Sequence, residues 1–244
     1  MTTDRETIGV LGGMASASTV EYYRLIDELI NDELGGHQAG EILIRSVNFA
    51  DIERCIREEQ WEEAGDRLAT AAQELESGGA DFIIMATNTM HKVAPVITDA
   101  ISIPFVHIID VTADAIRGAG LDTVGVLGTK TTMEAPFYRE RFAEHGVDVV
   151  VPDADDRDTI DTIIFEELTK GITREESRAA YLEIIDGLVD SGADGLVLGC
   201  TEIELLIDQD DRPSLPMFDT TALHVERAVE RSLDRPVEAE PAAE

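Results

Sequence analysis

The sequence has few cysteines, few lysines and no long hydrophobic run, and each shortage excludes a class of protein. Two cysteines, Cys55 and Cys200, are too few for a disulfide framework or a cysteine-rich metal site. No apolar run reaches the roughly 18–20 residues that cross a bilayer, and the first residues enter a strand pattern without the basic and apolar segments of a signal peptide. We therefore expect a cytoplasmic protein that binds neither a metal nor a membrane.

Basic residues are also scarce. The chain of 244 residues carries 51 acidic and 19 basic residues, a net charge of −32, and only three lysines. Such a charge repels nucleic acid and anionic membrane surfaces. Because the acidic residues are spread along the whole chain, we expect adaptation to high salt, where the Debye length shrinks to about 3 Å. A basic partner is the alternative explanation.

Short β-branched apolar runs alternate with longer amphipathic stretches along the chain. This alternation predicts an α/β fold with two pseudo-symmetric lobes, each a parallel sheet of about four strands flanked by helices. Strands are predicted at residues 8–11, 42–47, 82–85, 105–108, 124–127, 148–151, 195–198 and 216–218. Helices are predicted at 18–33, 61–77, 133–145 and 174–191, and the tail from Arg235, rich in proline, alanine and glutamate, is predicted to fray.

Internal repetition is the stronger signal. Residues 79–89 align with residues 192–202 at an offset of 113, and residues 7–12 resemble residues 123–128 at an offset of 116. A third match pairs 102–104 with 214–216 at an offset of 112. Three matches in the same order predict two copies of one unit. The predicted lobes are residues 1–108 plus 220–244 and residues 109–219, with an active site in the cleft between them.

The repeat gives Thr87 and Cys200 matching positions, each just after a strand and before a predicted helix. Ligands bind beyond the carboxyl ends of strands in open α/β sheets. A helix N-terminus at that point favours a bound carboxylate and lowers the pKa of a thiol. Two groups on opposite sides of one carbon suit the transfer of an α-proton from face to face, which needs no cofactor. No G-x-G-x-x-G fingerprint follows the first strand.

Simpler interpretations exist for these residues. A cysteine at a strand end is commonly a small buried hydrophobic residue, and a threonine there is commonly a helix cap. Met14 is expected to pack, whereas capping and ligand contact are equally compatible with Thr129 and Thr132. Cys55 has no repeat partner and is expected to be structural. The repeat-related positions of Thr87 and Cys200 favour the catalytic interpretation for that pair.

At these residues the chain resembles the aspartate/glutamate racemase family of cofactor-independent racemases, from about residue 7 to residue 232. The matching motifs are IGVLGGM at 8–14, TNTMHK at 87–92, GVLGTKTTMEAPFY at 125–138, IIFEEL at 163–168, GCTEI at 199–203 and LPMFDTTALH at 215–224. The resemblance implies two four-stranded α/β lobes, a site in the cleft, a homodimer and a two-cysteine mechanism with no cofactor.

The resemblance also implies site residues. Cys200 and Thr87 take the catalytic positions, and the candidate substrate-binding residues are Met14, Asn88, Thr89, Thr129, Thr132, Glu166, Thr201 and Glu202. The first cysteine of the family is replaced by Thr87, as in a branch that looks specific for acidic amino acids. A hydroxyl is a far weaker acid than a thiol, so we expect asymmetric racemisation that runs well from the enantiomer whose α-proton faces Cys200. Glu53 stands where dicarboxylate-specific members have an arginine.

Three functions remain open from the sequence. The first is a racemase of aspartate or glutamate, with a small-molecule amino acid as its only expected ligand. The second is a superfamily relative, a decarboxylase or isomerase, that uses Cys200 alone. The third is a non-catalytic amino-acid-binding protein in which Thr87 marks lost catalysis.

Overall fold

The structure, a computed structural model, describes residues 5–234. Their contacts divide them into two compact units. The N-terminal unit comprises residues 5–86, 93–106 and 224–234, and the C-terminal unit comprises residues 87–92 and 107–223. The segment 87–92, which carries Thr87, therefore belongs with the C-terminal unit, and the tail predicted to fray lies outside the described residues.

The N-terminal unit is built on a parallel sheet of three strands, β1 (Ile8–Gly12), β2 (Ile42–Ser46) and β3 (Phe82–Met85), in the order β2-β1-β3. Every residue of β1 and β3 is buried. Burial on both faces explains why these strands are continuous apolar runs rather than alternating ones. The predicted α/β class is confirmed, although this sheet has three strands where about four are predicted.

The C-terminal unit repeats this order with one more strand. Its sheet contains β4 (Thr123–Gly128), β5 (Asp148–Val150), β6 (Gly195–Gly199) and β7 (Met217–Asp219) in the order β5-β4-β6-β7, all parallel. The repeat-related strands β1 and β4 are both central, and β3 and β6 both follow them in the sheet order. The internal repeat seen in the sequence thus corresponds to one topology used twice.

The predicted fourth strand of the N-terminal unit is reduced to a single bridge between Ile83 and Phe105. The Ile83 amide donates to the Pro104 carbonyl, as the Leu196 amide donates to the Pro216 carbonyl in the other unit. The strand then stops, because the side chain of His107 accepts a hydrogen bond from the Ile109 amide and caps a helix. The prediction of a strand over 105–108 is therefore wrong beyond its first residues.

Ten α-helices surround the two sheets within residues 5–234. They are α1 (Ser16–Leu34), α2 (Phe49–Arg57), α3 (Trp61–Ser77), α4 (Ala94–Ala100), α5 (Ile108–Gly118), α6 (Lys130–Glu134), α7 (Pro136–Glu144), α8 (Ala154–Glu166), α9 (Glu175–Asp190) and α10 (Thr220–Leu233). The helix predicted over 61–77 is found with those bounds. The one predicted over 133–145 is split at Ala135, which is extended because Pro136 disfavours a helical residue before it.

Each unit has its own hydrophobic core. In the N-terminal unit buried residues of β1 and β3 pack with α1 and the later part of α10, through residues such as Tyr22 and Val225. In the C-terminal unit β4 and β6 pack with α5, α7, α8 and α9. Within residues 5–234, none of the helices combines the length and the apolar character that crossing a membrane requires.

Candidate active site

The described site lies in the C-terminal unit, where β4 and β6 end. Gly128 and Gly199 close these two strands and are partners in the parallel register. A Cβ on Gly199 would lie 3.0 Å from the Leu127 carbonyl oxygen, so the close approach of the two strand ends requires glycine. Cys200 follows β6 directly and Thr129 follows β4 directly. The carboxyl ends of adjacent parallel strands therefore bring these two side chains to the same edge of the sheet.

Cys200 forms the chemically distinctive contact of this edge. Its Sγ donates to Glu202 Oε2 at 2.9 Å, and the Thr201 hydroxyl donates to the same oxygen at 2.8 Å. The Glu202 side chain is buried, whereas Cys200 and Thr201 are half-buried. A buried carboxylate needs hydrogen-bond donors. The thiol and the hydroxyl supply them, which fixes the thiol proton on the line between sulfur and carboxylate.

Burial and the neighbouring Glu202 carboxylate raise the pKa of the Cys200 thiol well above its ordinary value. Loss of the thiol proton would place two negative charges side by side in a poorly solvated position. The sequence predicts the opposite, a thiol pKa lowered by a helix N-terminus, and that prediction is wrong. In the resting site Cys200 is a protonated thiol.

The predicted α-helix N-termini after Thr87 and Cys200 are absent from the described structure. Short 3₁₀ segments, Thr89–Val93 and Ile203–Leu205, follow these residues. A 3₁₀ segment of this length aligns few peptide dipoles, so it exerts little of the electrostatic effect of a full helix. A hydrogen bond from the Glu202 backbone amide does lower the pKa of the Cys200 thiol, but burial and the Glu202 carboxylate raise it by more.

Three threonine hydroxyls form a compact cluster beside the end of β4. Thr89 Oγ1 lies 3.1 Å from Thr129 Oγ1 and 3.3 Å from Thr132 Oγ1, and the last two atoms are 3.2 Å apart. Thr129 also caps α6, because its Oγ1 accepts from the Thr132 amide at 3.4 Å. The structure thus brings three predicted site residues together. Their hydroxyl hydrogens rotate, so the cluster can redirect donors toward a ligand oxygen.

Asn88 ties the segment 87–92 to the end of β6. Its Oδ1 accepts from the Tyr138 hydroxyl at 3.0 Å, and its Nδ2 donates to Thr220 Oγ1 at 2.9 Å. Thr220 Oγ1 in turn donates to the Leu198 carbonyl at 2.9 Å. All four groups lie in the C-terminal unit. The Asn88 side chain is therefore engaged in holding the site together.

Thr87 is half-buried and begins the segment that joins the C-terminal unit. Its carbonyl oxygen lies 2.7 Å from His91 Nδ1. His91 itself is buried, at 2 % exposure. The backbone at Thr87 is thus held by a side chain four residues further along the chain.

Two predicted site residues take no part in the hydrogen bonds given above. Met14 is buried in the N-terminal unit, after Gly13, whose φ of +90° is in the left-handed region that favours glycine. Glu166 ends α8 with 68 % of its side chain exposed and forms an ion pair with Lys170 at 2.6 Å. The neighbouring Glu167 is the less exposed carboxylate of that motif, with 13 % of its side chain exposed, and it accepts from Ser177 at 2.6 Å.

Several residues in the site network are absent from the sequence prediction. Tyr138 and Thr220 lie inside the recognised motifs, and their polar atoms complete the Asn88 contacts. Asp161 accepts from the Lys130 amide at 2.7 Å, and its charge adds to burial and Glu202 in raising the Cys200 pKa. Such residues could have been found from the sequence as polar side chains within apolar motifs. A buried tyrosine hydroxyl usually needs a hydrogen-bond partner, so its presence there indicates a polar contact.

The side chains that converge at this site are suited to proton transfer and hydrogen bonding. Within the described part of the chain, no group of three or more histidine, cysteine, aspartate or glutamate side chains is arranged to hold a metal ion. The groups that converge are one thiol, one carboxylate and several hydroxyls. Such a set can donate and accept a proton at one position and hydrogen-bond a carboxylate at another.

Comparison with known proteins gives a consistent result. A family model described as Asp/Glu/hydantoin racemase matches residues 11–228. The crystal structure of a candidate Asp/Glu racemase from Yersinia pestis is 43 % identical, with a TM-score of 0.89, covering 93 % of this chain and 99 % of that one. An aspartate racemase homologue from Pyrococcus horikoshii is 35 % identical, with a TM-score of 0.82 over 92 % and 98 % of the two chains. The broad specificity amino-acid racemase RacX of Bacillus subtilis is 25 % identical over 88 % of this chain and 93 % of its own length.

Proposed function

This chain belongs to the Asp/Glu/hydantoin racemase family, and from that premise we propose that it inverts the α-carbon of aspartate or glutamate without a cofactor. Amino-acid racemisation is the reaction named for the family and for its relative RacX. The choice of acidic substrates rests on the family description and on the likeness to the aspartate racemase homologue of Pyrococcus horikoshii.

The observation that carries the proposal is the hydrogen bond from Cys200 Sγ to Glu202 Oε2. Moving the shared proton from sulfur to the carboxylate yields a thiolate and a carboxylic acid without changing the net charge of the pair. The thiolate then takes the α-proton, and the electron pair of the C–H bond passes into the substrate carboxylate. Return of the proton from sulfur to carbon reverses the step, so the pair acts as base in one direction and as acid in the other.

The planar intermediate carries its new negative charge on the oxygens of the substrate α-carboxylate. Stabilising that charge requires donors fixed in advance at the place where it develops. In our proposal the hydroxyls of Thr89, Thr129 and Thr132 supply them. Their mutual distances of 3.1–3.3 Å make them one donor cluster rather than three isolated caps.

Thr87 serves the opposite face of the α-carbon in this proposal. A hydroxyl holds its proton far more tightly than a thiol, so it is the weaker acid. The half-reaction on the Thr87 face is therefore the slower one, and exchange on the Cys200 face outpaces net racemisation.

Deuterium wash-in tests the proposal. The protein is incubated in D₂O with each enantiomer of aspartate and glutamate, with alanine and lysine as comparison substrates, in low and molar salt. Proton NMR follows loss of the α-proton, and chiral chromatography follows inversion. We expect deuterium at Cα of an acidic amino acid and slower inversion. Absence of both from aspartate and glutamate, in a folded protein, contradicts the proposed function.

A decarboxylase is a second candidate, and the raised pKa of the Cys200 thiol favours it specifically. An enzyme that only protonates a carbanion after loss of CO₂ needs one protonated thiol and no second base. Such an enzyme releases CO₂ from α-substituted malonates and washes no deuterium into aspartate or glutamate. The two assays together separate the candidates, because each function predicts a signal in only one of them.

A further inference from the structure

His91 lies four residues after Thr87 and is engaged through both ring nitrogens. Nδ1 is 2.7 Å from the carbonyl oxygen of Thr87. Nε2 is 3.3 Å from the backbone nitrogen of Ile108, the first residue of α5. The ring is 2 % exposed. A buried imidazole with a backbone partner at each nitrogen has little freedom to rotate.

The two partners fix the proton on the ring. The Ile108 amide is a donor, so Nε2 accepts from it and carries no hydrogen. A neutral imidazole then has its single hydrogen on Nδ1, which donates to the Thr87 carbonyl. A flip of the ring by half a turn would replace both nitrogens by carbons and break both bonds. The ring of His107, with its centroid 4.5 Å away and edge-on, packs against His91 in this orientation.

The hydrogen bond from His91 holds the backbone of Thr87, the weaker of the two proposed catalytic residues. Thr87 joins a buried strand of the N-terminal unit to the segment 87–92 of the C-terminal unit. Its carbonyl direction depends on the same backbone torsions that orient its side chain. By anchoring the carbonyl to the first turn of α5, His91 restrains the direction of the Thr87 hydroxyl. The Cys200 side has its own anchor, the Glu202 carboxylate.

We propose that His91 is a positioning residue for the Thr87 face of the reaction, holding the Thr87 carbonyl through Nδ1–H so that the hydroxyl faces the substrate α-carbon. The role rests on the proposed racemase function. It predicts a one-sided effect, because His91 bonds the backbone of Thr87 itself and of Ile108, neither of which belongs to the Cys200–Glu202 pair. Loss of the anchor slows proton transfer on one face and spares the other.

Two substitutions test the two ring nitrogens of His91 one at a time. In His91→Asn the amide nitrogen takes the place of Nδ1 and keeps a donor for Thr87. In His91→Gln the longer side chain takes the place of Nε2, which keeps an acceptor for Ile108 and loses the bond to Thr87. His107→Asn is the matched control, since it removes a neighbouring half-buried histidine, keeps a helix cap there, and leaves both backbone partners of the His91 ring in place.

The readout is deuterium wash-in measured separately for each enantiomer. The enantiomer that still exchanges in Cys200→Ala is the one whose proton faces Thr87. We expect His91→Gln to slow exchange of that enantiomer by about 10- to 100-fold while the other enantiomer is nearly unchanged, and His91→Asn to restore most of the loss. His107→Asn should leave the ratio of the two exchange rates as in the wild type.

Equal losses on both faces, or the same result for Asn and Gln, would overturn the role of His91 while leaving the racemase function intact. A wild type that exchanges neither enantiomer refutes the function and this role with it. ¹⁵N NMR of the wild-type imidazoles gives a test that requires no variant to fold. We expect a neutral His91 ring protonated at Nδ1 near neutral pH, and a ring protonated at Nε2 contradicts the inference.

Discussion

The turn after β3 and the turn after β6 occupy repeat-related positions, yet they hold their reactive side chains differently. Cys200 donates its thiol proton directly to a buried carboxylate two residues further on. At Thr87 the anchored atom is the backbone carbonyl, and the anchor is a histidine four residues further on. The turn after β6 places the Glu202 charge beside the Cys200 thiol. The turn after β3 instead fixes the backbone of Thr87 through His91.

The contrast indicates which property the repeat preserves. Both turns follow a buried parallel strand and lead into a short 3₁₀ segment, so the backbone position is repeated. The local electrostatics are not repeated, because the residue of the first repeat that aligns with the charged Glu202 is the uncharged Thr89. The two faces of a bound substrate would thus meet groups of unequal acidity. Two predictions test that asymmetry and two test the stability of the surrounding structure, in order of decreasing effect.

Cys200→Ser should have the largest effect. Replacing the thiol by a hydroxyl removes the stronger acid, and we expect exchange on the Cys200 face to fall by about 10²- to 10⁴-fold. Thr87→Ala is the comparison variant and should leave exchange on that face nearly unchanged while abolishing inversion. Enantiomer-resolved wash-in of deuterium measures both. If Cys200→Ser and Thr87→Ala slow exchange on the Cys200 face by similar factors, the proposed asymmetry between the two faces is contradicted.

Glu202→Gln should weaken the Cys200 side without removing the thiol. The amide still accepts a hydrogen bond but carries no charge, so we expect a loss of about 1.5–3 kcal/mol, or about 10- to 150-fold in exchange rate. Because the carboxylate raises the Cys200 pKa, its removal should lower that pKa. The rate of iodoacetamide alkylation against pH, in a Cys55→Ser background, reports the thiol directly. An alkylation midpoint that stays at the wild-type pH contradicts the assigned role of Glu202.

His107 should make the stability of the protein sensitive to acid. Burial lowers the pKa of His107 to about 4, with Arg141 and His145 adding to the effect and Asp110 opposing it. Since the unfolded chain titrates near 6.5, it binds a proton first as the pH falls. The free energy of unfolding should therefore decline between pH 6.5 and pH 4, by at most about 3 kcal/mol from this group. Urea unfolding at several pH values measures the slope.

His107→Asn is the control for that slope. Asparagine also caps helices, so α5 keeps its N-terminal hydrogen bond, but the titrating ring is gone. The decline between pH 6.5 and pH 4 should flatten in the variant. If wild type and variant lose stability in parallel over this range, another group is responsible.

Two buried tyrosines should show the smallest and opposite effects. Tyr138→Phe leaves the buried Asn88 Oδ1 without its donor and should lower the free energy of unfolding by about 1–3 kcal/mol. The Tyr181 hydroxyl is buried with no hydrogen-bond partner within residues 5–234. Tyr181→Phe should therefore leave stability unchanged or raise it by up to about 1 kcal/mol. Urea midpoints compare the pair, and a loss of stability in Tyr181→Phe would contradict this interpretation.

Much of the fold follows from local sequence patterns. The strands near residues 8, 42, 82, 124 and 195 are found where apolar β-branched runs predict them. Four helices of 9 to 14 residues, α2, α5, α8 and α10, are absent from the prediction. A helix this short displays only a few turns of its apolar face, so a search for hydrophobic spacing over roughly 11–18 residues detects it poorly.

The candidate site is only partly predictable in the same way. Thr89, Thr129 and Thr132 are identified by motif, and the structure brings their hydroxyls together. Glu166 is identified by motif as well, but it lies exposed and paired with Lys170. The difference between the exposed Glu166 and the half-buried Glu167 depends on which side of the chain packs inward where α8 ends. Adjacent residues of the same type cannot be separated by composition or by spacing.

The sequence by itself determined the α/β class, the twofold use of one topology, and the matching of Thr87 with Cys200. These properties depend on local hydrophobicity and on internal repetition, both of which can be read directly from the order of the residues. Only the tertiary structure decided the direction of the Cys200 pKa, the anchoring of Thr87 by His91, and the network through Asn88, Tyr138 and Thr220. Burial and the Asn88 network depend on residues far apart in the chain, and packing also decides whether Glu202 and His91 turn toward their sequence neighbours, so the effect on a proton appears only after folding.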